Sequence, residues 1–142
     1  MEAGLLRKAA EKYQRAAVIV TAEPSLLAQV ATEAESRDLL GVLYHNVGRM
    51  LEKEGREYGQ ALRWAEESVK TNPGYMKGYY LRQQLYRLRG MYKEAREDLA
   101  FLDYQAAQPE PPKGCPSVAD ISAERARIDE AEEADKQQAA AL

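Results

Sequence analysis

Apolar side chains recur every three or four positions along most of the chain, which is the spacing of one face of an α-helix. This pattern, interrupted by glycine and proline, predicts six helices, over residues 3–22, 24–35, 39–53, 58–70, 75–89 and 92–107. Ala, Glu, Leu, Arg and Lys dominate these stretches, and β-branched residues cluster only at 18–20. The pattern therefore predicts an all-α fold.

Breaks in the pattern divide the chain into three parts. Residues 1–107 carry the six helices, with Gly55 expected to close the third helix and Gly90 expected as the left-handed cap of the fifth. Four prolines within residues 108–116 predict an extended spacer. Residues 117–142 predict an acidic C-terminal helix, begun by the pair Ser117 and Asp120. Its apolar stripe is thin, so we expect this helix either to fray or to pack on another surface.

A comparison of the chain with itself shows an internal repeat. Three residues of the third helix and its end recur 35 positions later, as Tyr44/Tyr79, Leu51/Tyr86 and Gly55/Gly90. Three residues of the following helix recur 34 positions later, as Tyr58/Tyr92, Ala61/Ala95 and Ala65/Leu99. A period of this length with two helices per unit predicts stacked antiparallel helix pairs.

These residues resemble the tetratricopeptide repeat (TPR) family. The first unit reads Tyr44-x-x-Val47-Gly48-x-x-Leu51, followed by Ala61, Ala65 and Pro73. The second reads Tyr79-x-x-Arg82-Gln83-x-x-Tyr86, followed by Ala95 and Leu99, and it lacks the Leu-Gly pair of the family. The resemblance is clearest over 40–107, and a degenerate copy begins at Tyr13. It implies an antiparallel helix-pair solenoid of about three repeats with an additional C-terminal helix.

Charge and composition narrow the functional classes. The net charge is −3, which gives no general attraction to nucleic acid or to an anionic membrane, and neither is expected as a partner. Residues 75–96 nevertheless hold six bases and one acid, whereas 117–142 hold seven acids and three bases. A single cysteine, Cys115, and the lack of an apolar signal-type run at the start favour the cytoplasm. The basic region predicts an acidic ligand.

The sequence offers little catalytic chemistry. It has one histidine, His45, one cysteine and no phosphate-loop glycine motif, so neither an enzyme nor a cofactor or metal site is expected. His45 is more simply explained as a residue that lines a groove or packs on a neighbour.

The resemblance implies a concave groove lined by the first helix of each pair, the usual place for a bound peptide. In co-chaperone members of the family, Lys, Asn and Arg side chains there clamp a terminal carboxylate of a heat-shock chaperone. Asn46 and Lys77 match two clamp positions, whereas Leu81 replaces the arginine, and Gln14 and Val18 replace the lysine and asparagine of the first helix. The expected peptide contacts are Asn46, Lys77, Arg82, Tyr44, Tyr79 and His45.

The sequence leaves two alternative functions open. The first is a non-enzymatic adaptor or scaffold that binds an acidic peptide or partner helix in the groove, and a co-chaperone that holds a chaperone tail is its sharper form. The second is a small structural subunit of a larger assembly, docked through its repeat surface and C-terminal helix. Within either function, the acidic C-terminal helix either folds back over the basic region or docks elsewhere.

Overall fold

The computed structural model describes residues 33–55 and 57–141 of the chain. This part contains helices α1 (Glu33–Glu54), α2 (Tyr58–Thr71), α3 (Met76–Leu88), α4 (Tyr92–Ala106) and α5 (Val118–Ala141). No strand occurs among the described residues, and neighbouring helices pack in pairs. The predicted all-α class is therefore confirmed for this part.

Two glycines end the first helix of each pair. Gly55 and Gly90 have φ angles of 75° and 76°, in the left-handed region that a side chain disfavours. Each donates its backbone N–H to a carbonyl oxygen three residues earlier, on Glu52 and Arg87 respectively, at 3.0 Å. Both glycines thus lie where the repeat pattern predicted helix ends, and the chain turns there into α2 and α4.

One predicted boundary is wrong. The pattern placed the end of one helix near Glu35 and the start of the next at Leu39, but α1 runs without interruption from Glu33. Residues 33–38 contain neither glycine nor proline, so no backbone feature ends the helix there. The predicted helix over 3–22, most of the one over 24–35 and the degenerate repeat at Tyr13 lie outside the described residues.

In the described part of the chain, the buried apolar residues form two clusters that meet at α3. One joins α1 and α2 to the inner face of α3, and it includes Val47, Leu51, Leu81 and Leu85. The short side chains Ala61 and Ala95 of α2 and α4 are fully buried, which allows the paired helices to approach closely. The second cluster joins α3 and α4 to α5. Its members are Met76, Tyr79, Ala95, Leu99, Leu102, Ile121 and Ile128.

Helix α5 folds back onto α4 and α3. Its start is capped as predicted, because the Ser117 hydroxyl accepts the Asp120 backbone N–H at 3.1 Å. The isoleucines of its thin apolar stripe, Ile121 and Ile128, are fully buried. The residues of α5 from 133 to 141 are exposed.

Ion pairs also join α5 to α4. Arg96 of α4 pairs with Asp129 at 2.8 Å and with Glu132 at 3.2 Å. Arg125 of α5 pairs with Asp103 of α4 at 2.6 Å. The acidic helix therefore lies against part of the basic region.

The two helix pairs differ at the position of Gly48, whose counterpart in the second pair contacts α5. Gly48 packs so tightly that an added Cβ would lie 3.1 Å from the Ala61 carbonyl oxygen and 3.2 Å from Leu81 Cδ2. Its counterpart 35 residues later is Gln83, which is also fully buried but reaches Glu124 of α5. A polar contact between α3 and α5 thus takes the place of the close packing of Gly48 against α2 and α3.

None of the helices in the described part combines the length and apolar character needed to span a membrane.

Candidate peptide-binding groove

A cavity of about 540 Å³ opens on the face formed by α1, α3 and the start of α5. The first helix of each pair contributes to it, as expected for the concave side of a helix-pair array. Helix α1 supplies His45, Asn46 and Arg49, and α3 supplies Lys77 and Tyr80. The remaining wall consists of Tyr75, Leu81, Gly114, Pro116 and Asp120. We call this cavity the groove.

Two cations of the groove are available to a ligand. Arg49 and Lys77 are exposed, and neither forms an ion pair with any residue in the described part of the chain. Both lie close enough to His45 to lower the pKa of its imidazole. The guanidinium and ammonium groups therefore face one cavity from two helices, an arrangement that suits a carboxylate.

His45 is a fixed part of the groove wall. Its side chain is buried, and its ring meets the Tyr75 ring edge-on at 5.3 Å between centroids and 87° between planes. Burial lowers its pKa, and Arg49 and Lys77 lower it further, against the opposing hydrogen bond with Asn46. The imidazole is therefore neutral at pH 7, and it positions its neighbours without adding charge.

Asn46 is oriented by this histidine. The distance from His45 Nδ1 to Asn46 Oδ1 is 3.3 Å, and since the amide oxygen is an acceptor, the imidazole N–H donates. The amide N–H groups of Asn46 have no partner among the described residues. Asn46 thus keeps two donors beside the two cations of the groove.

A second cavity of about 580 Å³ continues the groove past Lys77. It shares Tyr75, Lys77 and Gly114 with the first cavity and adds Lys113 and Asp38 to the lining. Gly114 has a φ of 80° and lies over the Lys77 stem, where an added Cβ would be 3.7 Å from Lys77 Cγ. The proline-rich spacer therefore lies along the groove as one of its walls.

The structure brings three of the six predicted contacts into the groove: His45, Asn46 and Lys77. It places Tyr44 and Tyr79 in the core instead. Tyr44 is 7% exposed and packs on Trp64, with ring centroids 5.4 Å apart. Tyr79 is 8% exposed, packs on Phe101 at 4.4 Å, and donates its hydroxyl to the Pro73 carbonyl oxygen at 2.7 Å. Both rings thus hold helices together.

Arg82 is also engaged outside the groove. Its Nε and Nη2 donate to the two carboxylate oxygens of Asp98 at 2.8 and 2.6 Å, and this contact raises the pKa of Arg82. The same guanidinium lies 5.6 Å from the Tyr79 ring centroid and 5.7 Å from that of Tyr86. Its positive charge is therefore paired with the carboxylate of Asp98 on α4.

The lining residues that the sequence analysis did not predict include Arg49, Tyr80 and Asp120. Arg49 follows His45 by four positions and Tyr80 follows Lys77 by three, so helical spacing alone would have placed both on the predicted face. Asp120 gave no such signal, because its place in the wall depends on how α5 folds back. Leu81, at the position of the clamp arginine, is 1% exposed and offers no donor. Gln14 and Val18 lie outside the described residues.

The groove lining combines polar donors with aromatic rings. It holds an ammonium, a guanidinium, the amide N–H donors of Asn46 and two tyrosine side chains around a neutral imidazole. No group of three or more His, Cys, Asp or Glu side chains in the described residues is arranged to hold a metal ion. Cys115 is half-buried away from the groove lining, and burial raises the pKa of its thiol.

No protein-family model, curated protein or solved structure matches this chain.

Proposed function

We propose that this chain is a non-enzymatic adaptor of the TPR type that binds an acidic peptide or the acidic face of a partner helix in the groove. The observation that carries the proposal is the convergence of Arg49 and Lys77, both without ion-pair partners in the described part, on one cavity beside Asn46. A carboxylate needs fixed donors and positive charge, and these three side chains supply both. We also propose a cytoplasmic location, which the single cysteine favours.

The aromatic side chains suit a peptide backbone. Tyr75 and Tyr80 line the groove beside Lys77 and are half-buried, so each offers part of an apolar ring to a ligand. An extended segment can contact these rings while its carboxylates face Arg49 and Lys77. The groove thus combines apolar contact with charge complementarity.

The sharper proposal is a co-chaperone that holds the C-terminal tail of a heat-shock chaperone. Asn46 and Lys77, the two residues that match the clamp positions, line the same cavity. Against this form, Leu81 is buried and Arg82 is paired with Asp98, so neither supplies the clamp arginine. Arg49 is a different cation on the same face, and we propose that it takes that part in this chain.

The alternative, a structural subunit docked through the C-terminal helix, has less support. Ile121 and Ile128, the buried apolar residues of α5, already pack within the chain. The exposed residues of α5 after 132 are mostly alanine and charged or amide side chains, which form no apolar docking surface.

The proposal is tested by fluorescence polarisation with a labelled peptide that ends Glu-Glu-Val-Asp, compared with its amidated twin and with an acidic peptide of scrambled order. Micromolar binding that weakens as salt rises is expected. Lys77→Glu and Arg49→Glu should each weaken binding at least tenfold, since each replaces an attraction with a repulsion in the same cavity.

Lys70→Glu is the matched control, because Lys70 is an exposed lysine of α2 that does not line the groove. It makes the same change of net charge and should alter affinity less than twofold. A preference for the free carboxylate would favour the chaperone-tail form, and equal binding of all three acidic peptides would favour a less specific acidic partner. If Lys70→Glu weakens binding as much as Lys77→Glu, or if no acidic peptide binds, the proposal is wrong.

A further inference from the structure

The groove also holds an acid that its proposed ligand does not explain. Asp120 lies in the first turn of α5 and lines the same cavity as Arg49 and Lys77. It is exposed, and no ion pair or side-chain hydrogen bond joins its carboxylate to another described residue. Among the described residues, the groove therefore presents two available cations and one available anion to a ligand.

The opposite charges occupy different walls of the groove. Arg49 lies on α1, where its positive charge acts to lower the pKa values of both His45 and Tyr75. Asp120 lies on α5 near Tyr80, whose pKa is raised chiefly by burial and also by the charges of Glu124 and Asp120. A wholly acidic ligand would be attracted to the first wall and repelled by the second.

We propose that the groove recognises a peptide segment that carries both an acidic group and a basic side chain, with the basic residue at the α5 end beside Asp120. This inference rests on the proposed function and names the ligand more closely. The carboxylate of the ligand pairs with Arg49, Lys77 and Asn46. Its lysine or arginine pairs with Asp120 and lies against the neighbouring Pro116 and the Tyr80 ring. Asp120 thereby sets the direction in which the peptide lies.

An acid in the first turn also suits the dipole of any helix, so the position of Asp120 alone does not require a ligand. The observation that adds to it is that Asp120 faces the same cavity as the cations and is unpaired, whereas Asp129 and Glu132 of the same helix are paired with Arg96. A binding experiment separates the two roles, because a helix-dipole effect does not depend on the sequence of a peptide.

The experiment scans a lysine through a peptide. Eight-residue peptides end Glu-Glu-Val-Asp with a free carboxylate, and each of the four preceding positions in turn carries Lys, Ala or Glu. Affinities are measured by fluorescence polarisation for the full chain and for the variants Asp120→Asn and Asp120→Lys. Glu130→Gln is the matched control, since Glu130 is an exposed acid of α5 that does not line the groove.

We expect one position at which Lys binds about two- to fivefold more tightly than Ala, the range of a partly exposed ion pair. Asp120→Asn should remove this preference, Asp120→Lys should turn it into a preference for Glu at the same position, and Glu130→Gln should preserve it. Circular dichroism of each variant confirms that α5 is still folded.

The inference and the proposed function fail in different ways. If the alanine peptides bind but no position shows a lysine preference that depends on Asp120, the inference is wrong and the adaptor proposal stands. If no peptide of the set binds, both are wrong.

Discussion

Glu124 offers a direct test of how α5 is held in place as a wall of the groove. It is a fully buried carboxylate on α5, and it accepts hydrogen bonds from the amide nitrogens of Gln83 and Gln84 on α3, each at 3.0 Å. Arg127, one turn along α5, donates to its other oxygen at 2.5 Å. The substitution Glu124→Ala removes the acceptor that joins the two helices.

The expected loss of stability follows from the polar groups that the substitution leaves without a hydrogen-bond partner. Gln83 is fully buried, and its Oε1 already has no partner among the described residues, so without Glu124 the whole amide is unpaired. An unpaired buried polar group costs about 1–3 kcal/mol. Gln84 is half-buried and regains part of its hydrogen bonding from water. We therefore expect Glu124→Ala to lower the free energy of unfolding by about 2–4 kcal/mol.

Urea unfolding followed by circular dichroism measures this loss, and amide hydrogen exchange shows whether α5 opens first. Glu130→Ala is the control, and this exposed site should change stability by less than about 0.5 kcal/mol. The double variant Gln83→Leu/Glu124→Leu removes both polar partners and should recover most of the loss. A loss below about 0.5 kcal/mol for Glu124→Ala would refute the reasoning.

The same site predicts a pH dependence. Burial pushes the pKa of Glu124 upward, but the hydrogen bonds from Arg127, Gln83 and Gln84 prevail, so its pKa lies below the ordinary value. A lowered pKa in the folded state means that Glu124 contributes stability above its unfolded pKa of about 4.3, and this contribution is lost as the pH falls through the folded value. Wild type should therefore lose stability below that pH more steeply than Glu124→Gln.

Two further predictions concern residues near the groove. The lowered pKa of His45 means that the unfolded chain binds a proton first, so stability should fall as the pH drops below about 6.5, and urea unfolding should show no such fall in His45→Gln. The substitution Arg82→Met leaves Asp98, which is 5% exposed, without its ion-pair partner. It should lower the free energy of unfolding in urea by about 2–4 kcal/mol, while the affinity for acidic peptides stays unchanged. A loss of affinity in the folded variant would instead return Arg82 to the list of peptide contacts.

Much of the fold could be predicted because local signals and the repeat agree. Gly55 and Gly90 needed no tertiary information, since a left-handed helix end favours glycine wherever it occurs. Ala61 and Ala95 recur at fully buried positions of α2 and α4. The sequence pattern missed the continuity of α1 through residues 33–38, because a weak apolar stripe suggests a break there although these residues contain neither glycine nor proline.

Only some of the residues that line the groove could be predicted from the sequence. Helical spacing puts residues on a face, but it does not show which charges are already paired across the fold. Arg82 and Lys77 are both cations of α3, but Asp98 on α4 pairs with the arginine, whereas the lysine has no ion-pair partner in the described part of the chain. Asp120 joins the groove through the spacer and the return of α5, which depend on long-range packing.

The central claim is that an acidic segment binds between α1 and α3, and nuclear magnetic resonance titration of the isotope-labelled chain tests it most directly. With an unlabelled acidic peptide, we predict that backbone amide shifts concentrate at residues 45–49, 75–81 and 114–120, and that they disappear in Lys77→Glu but persist in Lys70→Glu. Shifts confined to α2 and the outer face of α4, or an unchanged spectrum at millimolar peptide, would contradict the account.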